Sequence, residues 1–127
     1  MKAAKQYNPS ESPEQWVIIE IKDEKTDTPL YKVFGSWLGG YLDGDRWRMN
    51  SGITSVEEAG DYYYFFGETG SCYQCPKKRY GTGTSYTSGV LQNLIDTVKK
   101  LDNGHSITIV PQEEVNKLDF FQTEKLK

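Results

Sequence analysis

Two clusters of basic residues are the best candidates for chemistry in an otherwise acidic chain. Lys77, Lys78 and Arg79 stand together in residues 71–90, a stretch without an acidic residue, and run directly into the sequence GTGTSYTS at 81–88. The glycines there supply open backbone N–H groups, and Thr82, Thr84 and Ser88 supply small hydroxyls. A helix start just beyond adds a partial positive charge, which together make the ingredients of an anion site. Arg46 and Arg48 are two residues apart, so on a strand they share one face while Trp47 takes the other. If the two clusters converge, they can hold a phosphate-bearing ligand, with Tyr64 from the neighbouring aromatic run stacked on its base. The phosphate-loop pattern G-x-x-x-x-G-K-[ST] is absent, so a nucleotide-hydrolysing motor is not expected. The plain alternative is a solvated turn carrying ordinary surface charge.

Other groups offer less. Cys72 and Cys75 have C-x-x-C spacing, but with His105, the single histidine, they make three ligands where a structural zinc site needs four. Pro76 and a basic loop follow the pair, unlike the helix that begins at a redox dithiol, so two ordinary thiols are expected. His105 follows Asn103-Gly104, a helix-stop signal, and reads as a helix cap. Asp43/Asp45 and Glu57/Glu58 fall in turns and at strand ends, where carboxylates usually blunt sheet edges. No catalytic motif is present, and neither an enzyme nor a cofactor is expected.

The elements that must position these residues are short. Trp16–Lys22 (WVIIEIK) reads as a strand buried on both faces, and Leu30–Trp37 as a second. Asp45–Met49, Ile53–Glu58, Tyr62–Phe66 and Ser71–Cys75 follow at turn-separated intervals, and Ser106–Val110 closes the set. In YYYFF, Tyr62, Tyr64 and Phe66 share one face and Tyr63 and Phe65 the other. One amphipathic helix, about 88–102, is marked by Val90, Leu91, Leu94, Ile95, Val98 and Leu101, with Ser88 or Thr87 as cap. Lys99 and Lys100 suit its negative C-terminal end. The expected fold is α+β: one curved antiparallel meander of six to seven strands with the helix packed on it. Residues 1–14 read as a disordered tail, 15–111 as a single domain, and 112–127 as an arm or short helix.

Composition bounds the rest. At 127 residues the chain suffices for one domain with its own core, and 13% aromatic residues let that core be small and ring-rich. A net charge of −3 argues against general binding to nucleic-acid backbone. No apolar run approaches the roughly 20 residues of a membrane span, and the N-terminus lacks a signal-peptide core, so a cytoplasmic protein is expected. The Phe120-Phe121 tail and doubled aromatic faces are more apolar surface than a small monomer hides comfortably. Association into a homo-oligomer is therefore expected.

The blocks WLGGYLDGDRWRMNSGI, from Trp37 to Ile53, and DYYYFFGETGSCYQC, from Asp61 to Cys75, resemble small accessory proteins of tailed bacteriophages, including those that infect cyanobacteria. The resemblance implies a phage product acting in the cytoplasm of a bacterial host, often against host machinery or immune signalling. Combined with the basic clusters, it leads to the expectation of a counter-defence protein that sequesters a small anionic, nucleotide-like ligand. Two alternatives stand beside it: an inhibitor that binds a host or defence protein through an aromatic sheet surface, and a minor virion or assembly component.

Overall fold

The computed structural model describes residues 8–26, 28–37, 46–82, 85–101 and 104–118. Seven strands, one α-helix and one 3-10 helix follow in chain order. They are β1 (Gln15–Asp23), β2 (Leu30–Trp37), β3 (Arg46–Met49), β4 (Ile53–Ala59), β5 (Tyr62–Gly67), β6 (Cys72–Pro76), α1 (Ser85–Leu101), β7 (His105–Ile109) and the 3-10 helix Gln112–Lys117. The class is α+β, with all strand pairs antiparallel. The strands make two sheets, however, and not one curved meander: a four-stranded sheet in the order β3-β2-β1-β7 and a three-stranded sheet β4-β5-β6.

The break lies at Asn50–Gly52. The buried Asn50 accepts the Val33 N–H on its side-chain oxygen at 2.9 Å and returns its own N–H to the Val33 carbonyl, which ends β3. Gly52 then adopts φ +138, a backbone region that side chains disfavour, and the chain crosses into the second sheet.

The first sheet is the middle of three layers. Trp16, Ile18 and Val33 point to the second sheet and meet Val56, Phe65, Tyr73 and Cys75, with Val110 and Val115 closing the same core. Val17, Ile19 and Phe34 point the other way, to Leu91 of α1, flanked by Val90, Leu94, Ile95 and Ile107. Strand β1 is thus buried on both faces from Trp16 to Ile19, as its unbroken apolar run requires. Each of its large side chains contributes about 1.5–3 kcal/mol by leaving water.

Residues 8–14 differ from a loose tail. They run beside β6, where the Gln74 N–H donates to the Glu11 carbonyl at 2.9 Å and the Ser10 N–H to the Cys72 carbonyl at 2.8 Å. They then cross to the first sheet, where the Trp37 indole donates to the Ser12 carbonyl and Glu14 N–H to the Ser36 carbonyl, both at 3.0 Å. Pro13 sits over Gly35 so closely that a Cβ on Gly35 would lie 2.8 Å from the proline Cβ. This strap tethers the two sheets at one edge. Helix α1 also starts three residues earlier than its apolar spacing indicates, so Ser88 falls inside the first turn.

Candidate functional site

A recess opens where the sandwich ends, between the start of β1, the start of β5, the turn after β6 and the 3-10 helix. It holds about 160 Å³ and is lined by Trp16, Tyr63, Lys77, Tyr80, Gln112, Val115 and Asn116. At roughly 30 Å³ per water, that is room for about five waters or one planar ring. Three rings form its walls at steep angles: Tyr63 meets Trp16 at 6.0 Å and 76°, and Tyr80 meets it at 4.8 Å and 89°.

Those rings are fixed by their polar ends. The Trp16 indole donates to the Pro76 carbonyl at 2.6 Å. The Tyr80 hydroxyl accepts the Ile18 N–H at 3.0 Å and donates to the Val110 carbonyl at 2.5 Å. Burial pushes the Tyr80 hydroxyl up to about 12, against the opposing pull of the Ile18 N–H. It is therefore a neutral phenol at all ordinary pH. The walls need little reorganisation to receive a ligand.

The cation of the recess is Lys77. Its ammonium lies 5.2 Å from the centre of the Tyr63 ring and pairs with the Glu58 carboxylate. The strand register explains the grouping. Glu58, Tyr63 and Cys75 are directly opposite one another on the inner face of the second sheet, and Lys77 comes two residues after Cys75 on the same side. An exposed ion pair of this kind is worth about 0–1 kcal/mol, so an incoming anion displaces Glu58 cheaply.

Only Lys77 among the expected residues lines this recess. Lys78 and Arg79 are exposed on the same turn, and the Arg79 carbonyl accepts the Trp16 N–H, which anchors the turn to β1. Arg48 is remote: it pairs with Glu11 at 3.4 Å beside the strap, at the Tyr73 end of β6. Four residues of strand, about 13 Å, separate Tyr73 from Lys77. Tyr64 is on the outer face of β5, buried and bonded to Gln74, so the ring beside Lys77 is Tyr63. Thr82 and Ser88 bond to each other at the start of α1, and the Thr82 carbonyl accepts the hydroxyls of Thr87 and Ser36. These hydroxyls serve the junction between helix and sheet. The side chain of Arg46 and the whole of Thr84 lie outside the described residues.

Two further features lie apart from the recess. A crevice of about 790 Å³ lies between the last turns of α1 and the ends of β1 and β7. Its lysines Lys22 and Lys99 are mixed with the carboxylates Asp23 and Glu24, and the His105 imidazole lies 3.4 Å from the Asp23 carboxylate, so it has no consistent sign. Cys72 and Cys75 are three apart on β6 and so project to opposite faces, Cys75 into the core between the sheets. Burial raises both thiols above their ordinary value, Cys75 strongly. Among the described residues no helix is long and apolar enough to cross a membrane.

Sequence reasoning missed Trp16, Tyr63, Tyr80, Gln112, Val115 and Asn116 as lining residues. Comparison with family models, with curated proteins and with solved structures returns no match for this chain.

Proposed function

We propose that the protein is a non-enzymatic binding protein that captures a small anionic, ring-bearing ligand of the nucleotide kind. The observation that carries this is the recess of Trp16, Tyr63 and Tyr80 with the Lys77 ammonium at its mouth. Its volume admits one heterocycle and no more, below the several hundred Å³ usual for a whole drug-sized ligand. The phosphate therefore stays outside, within reach of Lys77 and beside the exposed Lys78. A cationic guest is disfavoured, because Lys77 already occupies the cation-binding face of Tyr63. Given the resemblance of the central blocks to tailed-phage proteins, such capture in the host cytoplasm would act as counter-defence, removing a nucleotide signal without consuming it.

The competing reading, a protein inhibitor with an aromatic sheet surface, has less behind it. On the outer face of β5 Tyr62 is exposed but Tyr64 is not, so no broad aromatic patch is available among the described residues.

Thermal-shift and calorimetric titration with nucleoside mono-, di- and cyclic phosphates tests the proposal. Binding should weaken about tenfold or more in Lys77→Ala and in Tyr63→Ala with the fold intact, the loss expected for a charge-assisted contact or a stacked ring. A panel producing no shift at about 1 mM ligand refutes it.

A further inference from the structure

Among the described residues four strands have an open side: β3 and β7 in the first sheet, β4 and β6 in the second. Free edges recruit other strands, and proteins usually blunt them with charge, irregularity or cover. Three of these four are blunted. β3 is four residues long and includes Arg46 and Arg48. β4 carries Glu57 and Glu58 and shifts register between Ile53 and Ser55. β6 is covered by Ser10 and Glu11 of the strap.

Among the described residues β7 has none of these devices. It reads His-Ser-Ile-Thr-Ile, β-branched in three of its five positions, with no proline, lysine or carboxylate. Ser106 and Thr108 are exposed, and Ile109 is 42% exposed. Its backbone polarity follows from one bond. The Val110 N–H donates to the Ile18 carbonyl, so by alternation Ser106 and Thr108 turn toward β1. His105, Ile107 and Ile109 turn their N–H and C=O groups to the open side.

We propose that this edge joins two copies of the chain, with β7 pairing antiparallel to β7 about a two-fold axis at Ile107. The register is self-complementary. Ile107 meets Ile107 of the partner subunit, Ser106 meets Thr108 of the partner subunit, and His105 meets Ile109 of the partner subunit. Aliphatic faces aliphatic and hydroxyl faces hydroxyl, pairings that favour a sheet, and no charged side chain faces its like. Ile107 and its counterpart exchange two backbone hydrogen bonds at the axis, and the edge continues the ladder on either side. A second copy suits the edge better than a charged foreign segment, since β7 offers no charge to choose one. The product is one eight-stranded sheet with both α1 helices on the same face, because α1 lies against β7. It covers Ile109 and leaves the ring recess open.

Sedimentation velocity from about 5 to about 500 µM tests this, because dimerisation follows mass action. The wild-type chain should pass from monomer to dimer across that range. Thr108→Lys puts a charge beside the axis, and Ile109→Pro removes an edge-facing N–H without touching the β1 ladder. Both should remain monomeric at the highest concentration, with wild-type circular dichroism. A wild-type chain that stays monomeric throughout overturns the proposal, whether or not the edge accepts some other strand. So does a folded variant of either kind that dimerises as well as wild type.

Discussion

Tyr80→Phe removes one oxygen atom, and the structure sets what that costs. The oxygen accepts the Ile18 N–H and donates to the Val110 carbonyl, tying β1 to the segment that leaves β7. Two such bonds at roughly 0.5–1.5 kcal/mol each give about 2 kcal/mol, and stranding the buried Ile18 N–H raises the loss to about 3 kcal/mol. For a domain of this size that is a fall in Tm of roughly 8–12 °C. The pH dependence supplies a second, independent handle. The hydroxyl is raised from 10.0 to about 12 by burial. A group raised in the folded state contributes stability that is complete below its unfolded value and is lost as pH climbs through the folded one. The window is therefore about pH 10 to pH 12. At pH 11 the wild type should have lost about 1.4 kcal/mol from this group, or about 1 kcal/mol once partial exposure of the ring is allowed for. Phenylalanine does not titrate, so the gap between the two proteins should narrow by that amount between pH 8 and pH 11. Tyr73, Cys72 and Cys75 are also raised by burial, but they are common to both proteins and cancel in the difference. Urea unfolding followed by tryptophan fluorescence at the two pH values reads the gap directly. A gap below about 0.5 kcal/mol at pH 8, the range of ordinary surface substitutions, would show that the bridging hydroxyl is not the tie described. A gap equally wide at pH 11 would refute the titration argument.

Gly35→Ala forces a methyl group against the Pro13 ring at 2.8 Å, so the strap must lift or the strand must shift. A loss of about 1–3 kcal/mol is expected from such overpacking, with faster proteolysis around residues 8–14; unchanged cleavage there would argue against the strap as a tether. Glu58→Gln removes the carboxylate that competes for Lys77, and should tighten nucleotide binding several-fold while moving stability by less than about 1 kcal/mol. Weaker binding in that variant would mean that Glu58 contacts the ligand and is not its rival.

Strand β1 shows how much of this fold is legible in the chain. Four consecutive large apolar residues, Trp16 to Ile19, demand cover on both faces, and one helix can cover only one of them. The expected single meander offered no such second cover, and the structure supplies it by splitting β4, β5 and β6 into a sheet of their own. What the run does not encode is the break at Asn50–Gly52, because a side chain that substitutes for a strand partner looks like an ordinary turn residue. The strap was hidden for a related reason. Its pairing with β6 is made by backbone groups, and polar residues with two prolines give no periodic sign of it.

The recess divides along the same line. Lys77 was visible because a local run of cations announces itself. Its companions come from distant parts of the chain, the Tyr80 hydroxyl meeting Ile18 across 62 residues and the Trp16 indole meeting Pro76 across 60. Alternation separated Tyr63 from Tyr64 but not inside from outside, since both faces of YYYFF are equally aromatic. Only the partner strands decide. Glu58 and Cys75 flank Tyr63, and the residue after next is Lys77, so the face that holds the core also carries the cation to the rim. That coupling makes the ring-and-ammonium site depend on the register of the second sheet. A one-residue slip of β6 would turn Lys77 away from Tyr63 and abolish the recess even with every side chain retained.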